Sequence, residues 1–200
     1  MSSVDSAVPV VVLTFDAEGD AGHVPEILET LRTEGVKAGF AVTGLWAEQY
    51  PDLVRVIAAE GHSLYNHSYD HPSFTGRYGG GAMLSREERV AQLQRTEETV
   101  MSLTGQSTRP YFRPPYGDFD NSVLCDIYAA GYPYLLLWNA DMAGFKGTSI
   151  DQIVATALAS AHPGTIYVMH TNSHSNDALA LPRIIQGLRS MGYQFATLQK

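Results

Sequence analysis

Cysteine is nearly missing from this 200-residue chain, where Cys125 stands alone. A single cysteine excludes an internal disulfide and any cysteine-rich zinc site, and its setting in a helical stretch assigns it to the core. Basic residues are also scarce, 13 Lys and Arg against 21 Asp and Glu, for a net charge of -8. A general nucleic-acid binder needs a positive surface, and none is evident. No apolar run approaches the ~20 residues of a membrane span. Met1 to Pro9 has neither a basic start nor a long apolar stretch, so no signal peptide is legible. The chain is therefore expected in the cytoplasm as it stands, and outside the cell or in its envelope if a leader has been trimmed. Charged residues make up only 17% and hydrophobic ones 44%, the reverse of a disordered chain. No linker, repeat or low-complexity tract divides the sequence, which reads as one domain over residues 1–200.

Apolar runs alternate with amphipathic stretches from end to end. Val10 to Phe15 is apolar and mostly β-branched, the signature of a strand buried on both faces. Similar runs follow at Val36 to Val42, His62 to Asn66, Tyr111 to Arg113, Tyr134 to Trp138, Thr165 to Met169 and Gln194 to Leu198. Between them lie helical faces such as Ile27, Leu28 and Leu31, a longer one over Trp46 to Glu60, and one carrying Leu181, Ile184, Ile185 and Leu188. Ser85 with Glu88, and Ser149 with Gln152, have the spacing of capping boxes that open further helices. Pro72, Gly76 and Gly79 to Gly81 mark an irregular loop. Roughly seven strands and six helices in alternation predict an α/β fold with a parallel sheet and helical crossovers. That count suits either a doubly wound sheet or a compact, incomplete β/α barrel.

The barrel alternative requires chemistry to gather at the C-terminal ends of the strands. Asp16 and Asp20 follow the first strand, His67 and His71 the third, and Arg113 ends the fourth. Asp141 follows the fifth and His170 ends the sixth. His67 and His71, four residues apart, fall on one side of a helical turn, a spacing that suits two imidazole ligands on one divalent metal. The bland alternative is two solvated histidines on a surface turn. Arg113 stands before Pro114 and Pro115, which fix the backbone and leave the guanidinium to pair with a carboxylate at a neighbouring strand end. Alone, Asp16 is one of many aspartates that end α/β strands, and His170 is a core histidine. The remaining histidines, His23, His62, His162 and His174, read as structural or exposed. Tyr116, Trp138 and Phe145 suit either a sugar-binding groove or ordinary packing.

Taken together, these residues resemble the polysaccharide deacetylases of carbohydrate esterase family 4, the NodB-like domain. The resemblance runs from about Val10 to Leu198. It rests on Thr14-Phe15-Asp16, on His67-Ser68-Tyr69-Asp70-His71, on Arg113-Pro114-Pro115-Tyr116-Gly117, on Trp138 to Phe145, and on Val168-Met169-His170, in the order of the family's five motifs. It implies a distorted, incomplete (β/α) barrel of about seven parallel strands with outer helices. It also implies one divalent metal, zinc first, with Co2+, Ni2+ or Mn2+ as alternatives. The implied reaction removes acetyl groups from N-acetylglucosamine-containing glycans, chitin oligomers or peptidoglycan, or from O-acetylated xylan. An acetylated glycan is then the partner, and no obligate protein partner is evident. By position, Asp16 is the base, His67 and His71 are metal ligands, Arg113 orients Asp16, and His170 is the acid. The backbone around Pro115 and Tyr116 faces the oxyanion, and Trp138 and Phe145 line the groove.

Two positions depart from the family pattern. The family's third metal ligand is an Asp where this chain has Ala17, and Asp20, ahead of Glu18, is the expected replacement. The family's histidine-supporting Asp falls at Gly144, next to Phe145, and Asp141 is the nearest substitute. The altered first motif also admits a hydrolase of small or cyclic amides, or a non-catalytic glycan-binding relative.

Overall fold

The computed structural model describes residues 9–198; the reading of Met1 to Pro9 as free of a leader lies, apart from Pro9, outside the described residues. The first half runs β1 (Val10–Ala17), α1 (Val24–Thr33), β2 (Gly39–Val42), α2 (Gly44–Gln49), α3 (Pro51–Ala59), β3 (Ser63–Asn66) and α4 (Arg86–Thr104). The second half runs β4 (Tyr111–Phe112), α5 (Asn121–Ala129), β5 (Tyr134–Leu135), β6 (Ala140–Asp141), α6 (Ile150–Ala159), β7 (Ile166–His170), α7 (Asp177–Ser190) and β8 (Gln194–Ala196).

All strand pairings are parallel. Along the sheet the order is β5-β4-β3-β2-β1-β7-β6, and β8 pairs with the start of β1. The two ends of that path, β5 and β6, are consecutive in sequence, and only residues 136–139 separate them. Five residue steps reach at most ~18 Å, whereas six strand spacings of a flat sheet would need ~29 Å. The sheet must therefore curl until its edges face each other without a ladder between them. This is the incomplete barrel expected above, not a doubly wound sheet.

Side chains of β1 divide by parity. Val11, Leu13, Phe15 and Ala17 pack outward into a large cluster with Ile27, Leu31, Trp46, Val54, Leu181 and Ile184 from the helices. Val12 points inward to Ala41, Tyr65, Tyr111, Leu136, Ile166 and Leu198. Full burial of each large aliphatic or aromatic side chain is worth about 1.5–3 kcal/mol, so this division fixes which face of β1 looks inward. Thr14 and Asp16 continue the inward row toward the C-terminal end of the barrel, both buried.

Both capping boxes form as the spacing predicts, at Ser85 with Glu88 and at Ser149 with Gln152. Three details differ from expectation. The stretch Trp46 to Glu60 is two helices, because Pro51 disfavours a helical Tyr50, which takes φ -127° and ψ 55°. The short strand β6 escaped the pattern because two residues carry no periodicity. Cys125 is exposed rather than in the core, since α5 buries Val123 and Ile127 instead.

Candidate active site

Asp16 is a buried acid at the C-terminal end of β1. Arg113, fully buried, donates from Nη1 to Asp16 Oδ1 at 2.5 Å and from Nη2 to Thr14 Oγ1 at 2.8 Å. Burial opposes the charge on Asp16, yet Arg113 beside it, with His67 and His170, holds its carboxyl below the ordinary range. The carboxylate is thus ionised, clamped on one oxygen and free on the other.

His67 is set by the residue before it. Asn66 is fully buried and donates to Leu93 O at 2.9 Å and Tyr132 Oη at 2.7 Å, and its Oδ1 accepts the Ser68 N–H at 3.0 Å. Ser68 Oγ in turn accepts the His71 N–H at 3.2 Å. The segment is a side-chain-built turn, not the helical turn expected from the four-residue spacing: Ser68 and His71 take φ 67° and 63°. The ring centroids of His67 and His71 still come within 4.9 Å. Four non-glycine residues among those described have positive φ: Ser68, His71, Tyr116 (60°) and Ala143 (51°). All four follow the C-terminal ends of strands, and such conformations cost ~1–3 kcal/mol each and cluster at functional sites.

Protonation of His67 follows from geometry. Its Nδ1 lies 2.8 Å from the Arg113 carbonyl oxygen, which only accepts, so Nδ1 carries the hydrogen. Burial holds the ring below the usual imidazole value against the pull of Asp16. The lone pair of the neutral ring is then on Nε2. That atom faces Asp16 Oδ2 at 3.7 Å and Glu18 Oε2 at 3.9 Å. A lone pair set against two carboxylates is repulsive unless a cation lies between them. His71 Nε2 is 2.6 Å from Glu18 Oε2. The ligand atoms of Glu18, His67 and His71 all lie within 4.8 Å of one another. A tetrahedral metal with bonds of ~2.1 Å spaces its ligand atoms by ~3.4 Å, so this triple fits a divalent ion after small side-chain shifts.

Glu18, not Asp20, is brought to the histidines. The strand β1 continues two residues beyond the expected end at Phe15, through Ala17. Glu18 therefore falls on the Asp16 face by simple alternation, while Ala17 packs in the outer core. Asp20 has already left with the loop, and its carboxylate accepts from the Ser173 backbone at 3.0 Å and from the Ser173 hydroxyl.

The carboxylate beside His170 is Asp177, not Asp141. Asp177 is fully buried at the start of α7, and its Oδ2 accepts the His170 N–H at 2.9 Å. Asp141 turns back to accept the Ala143 N–H at 2.8 Å and lines the cavity without pairing with His170. Asp177 had no local signal: it lies seven residues beyond His170 and is brought back only by the turn between them.

A cavity of about 320 Å³ opens over these groups. Tyr116, Trp138 and Phe145 line it as expected, but the lining proline is Pro114, while Pro115 is buried beneath. Tyr78, from the glycine-rich loop, stacks on Tyr116 at 5.5 Å between centroids, and Tyr116 meets His71 edge-on at 4.7 Å. Phe145 lies 4.4 Å from the His170 ring. Tyr78 and Lys146 are lining residues that the sequence did not single out. None of His23, His62, His162 and His174 lines the cavity.

The family model for polysaccharide deacetylase matches residues 3–135. The peptidoglycan-N-acetylglucosamine deacetylase of Bacillus cereus is 34% identical over 192 residues, spanning 94% of this chain and 66% of that protein. The peptidoglycan-N-acetylmuramic acid deacetylase of Bacillus subtilis is 31% identical over 194 residues, spanning 94% of this chain and 69% of that protein. The chain thus covers about two thirds of the length of these curated relatives. A crystal structure of a peptidoglycan N-acetylglucosamine deacetylase in complex with an N-oxidanyl-benzamide superposes with a TM-score of 0.90 at 32% identity, covering 98% of this chain and 89% of that one. Among the described residues, no helix is long and apolar enough to cross a membrane.

Proposed function

The chain belongs to the polysaccharide deacetylase family, and we propose that it is a metal-dependent hydrolase that removes acetyl groups from N-acetylated amino sugars in peptidoglycan or chitin oligomers. Residues 1–200 would act as one catalytic domain. The observation that carries this reading is the Glu18–His67–His71 triple set beside an aspartate that is not part of it and is clamped by Arg113.

Glu18, His67 and His71 would hold the ion, with zinc the first choice for a set of two imidazoles and one carboxylate. A divalent metal bound there supplies Lewis acidity for the acetyl carbonyl and acidifies a water near neutrality. Asp16 accepts the proton of the attacking water on the oxygen that Arg113 leaves free. Arg113 offsets the burial penalty on the Asp16 charge and keeps the carboxylate ionised in the dry interior. The backbone at Tyr116, turned by its positive φ, is the candidate donor to the oxyanion. His170 gives its proton to the departing amine nitrogen. The sugar rings stack on Tyr116, Tyr78, Trp138 and Phe145.

The decisive assay measures acetate release from a panel of peptidoglycan fragments, chitin oligomers and acetylated xylan. Release that stops with a chelator and returns with a divalent ion is expected. Absence of acetate release together with hydrolysis of small or cyclic amides assayed in parallel, or no hydrolysis of any kind, would replace the reading with one of its two alternatives.

His170 also sets a pH dependence. Burial disfavours its charged form, but Asp177, Asp16 and Glu18 outweigh it and raise its pKa above the ordinary imidazole value. The proton is therefore held to higher pH than on a free imidazole and lost on the alkaline side. The rate should fall on the alkaline side, at higher pH than a free imidazole would set, and His170→Gln should lower turnover by roughly 10²–10⁴. A His170→Gln enzyme with near-normal rates would exclude the acid role.

A further inference from the structure

One ring nitrogen of His170 has no hydrogen-bond partner. Its Nδ1 is buried and unpaired, and Asp177 Oδ2 lies 3.8 Å away, just outside bonding range. Asp177 has itself little to balance its charge. Its oxygens accept two neutral donors, Gly144 N–H at 3.1 Å and His170 N–H at 2.9 Å. Among the described residues its ion-pair partner is His170. A fully buried carboxylate in that state lacks compensation unless a cation is near, and the one within reach is the His170 ring.

A separate observation comes from the loop after β6. Gly144 is buried, and its backbone does not lie in the left-handed region that favours glycine. What keeps it bare is Asp177: a Cβ at position 144 would sit 2.3 Å from Asp177 Oδ1, 2.7 Å from its Cγ and 2.8 Å from its backbone N. Contacts below 3.0 Å are essentially never made by real Cβ atoms. A side chain at 144 would collide with the Asp177 carboxylate and with the α7 backbone that carries it. The loop and the first turn of α7 thus compete for one volume beside His170.

We propose that Asp177 positions His170 for proton donation, and that Gly144 and Asp177 form a matched pair in which the bare position admits the acid from α7. The proposal rests on the reading of His170 as the proton donor. A shift of the ring by ~1 Å brings Nδ1–H to Asp177 Oδ2 at charge-assisted hydrogen-bond distance. The second proton is then confined to Nε2. As the C–N bond of the amide breaks, the amine nitrogen takes the Nε2 proton. The ring is left neutral with its hydrogen on Nδ1, and Asp177 stays ionised throughout.

The test compares Asp177→Asn, Asp177→Ala and Gly144→Ala, with kcat read as a function of pH. Asp177→Asn and Asp177→Ala should each lose ~10–100-fold in kcat, with KM and bound metal unchanged, in line with losses of supporting groups elsewhere. Gly144→Ala should be impaired by the collision with Asp177 and its backbone. In Asp177→Asn the alkaline fall of kcat should begin at lower pH, because the charge that holds the His170 proton is gone. A purely structural role for Asp177 predicts no such change in the pH profile. Wild-type kcat in Asp177→Asn overturns the proposal, as does an alkaline limb unchanged from wild type; wild-type kcat in Gly144→Ala overturns the matched pair. If the variants do not fold, nitrogen NMR of the wild-type His170 ring decides: a slowly exchanging Nδ1 proton supports the pairing, and an unprotonated Nδ1 overturns it. His170→Gln separates the two levels. An inactive His170→Gln with a fully active Asp177→Asn sinks this inference alone, whereas an active His170→Gln sinks the reading beneath it.

Discussion

Asp16→Asn should yield a folded protein that binds metal and glycan but turns over ~10²–10⁴ times more slowly, the range expected on losing a general base. The amide keeps the shape and one oxygen for Arg113, which donates to Asp16 at 2.5 Å. It cannot take a proton from water. Asp16 is not one of the clustered ligand atoms of Glu18, His67 and His71, so the metal should stay. The substitution also removes the charge that balances a fully buried arginine, and stranding a buried charge costs about 3–5 kcal/mol. Arg113 retains Thr14 Oγ1 at 2.8 Å, which limits that loss. Thermal melting should show the lower stability while metal analysis shows full occupancy. Loss of metal in Asp16→Asn would make Asp16 a ligand and move the base elsewhere.

Glu18→Ala should strip the metal, and Asp20→Ala should leave it in place. Glu18 Oε2 lies 2.6 Å from His71 Nε2 and 3.9 Å from His67 Nε2. The Asp20 carboxylate is instead committed to Ser173. Loss of groups that merely support metal ligands already costs 10–100-fold in affinity; removal of a direct carboxylate ligand should cost ~100-fold or more. Acetate release should fall in parallel at low metal and recover in part when metal is added in excess. Calorimetric titration of the two variants against the same ion checks both halves. Wild-type affinity in Glu18→Ala, or a lost site in Asp20→Ala, would reverse the assignment.

Much of this molecule was legible without coordinates. The β-branched run at the start of β1, the helical faces of α1 and α7 and the two capping boxes each signal themselves within a dozen residues. Local propensity and burial agree there, and tertiary contacts only reinforce the pattern. The alternation of those elements fixed the parallel sheet, and it sent Asp16, His67, Arg113 and His170 to one end of it. Even the Glu18 assignment was present in principle. Strand alternation places residues 16 and 18 on one face, and the only local unknown was that β1 persists through Ala17. That extension depends on pairing of Ala17 with Val42 in β2, a contact between residues 25 positions apart.

Tertiary structure alone decided the rest. Spacing suggested a helical turn for His67 to His71, but Asn66 is held by Leu93 and Tyr132 and bends the segment into a left-handed turn. Proximity to the family's motif position at Gly144 favoured Asp141 for His170, yet the chain between β7 and α7 folds back to deliver Asp177. Curling of the sheet was fixed by which strands lie at its edges, a property of the whole order and of no segment in it. The physical reason is common to all three. Period and propensity act over a few residues, so they choose the element and its inward face. The partner that a polar group meets across the barrel depends on where distant loops end, and that is settled only when the core between them closes.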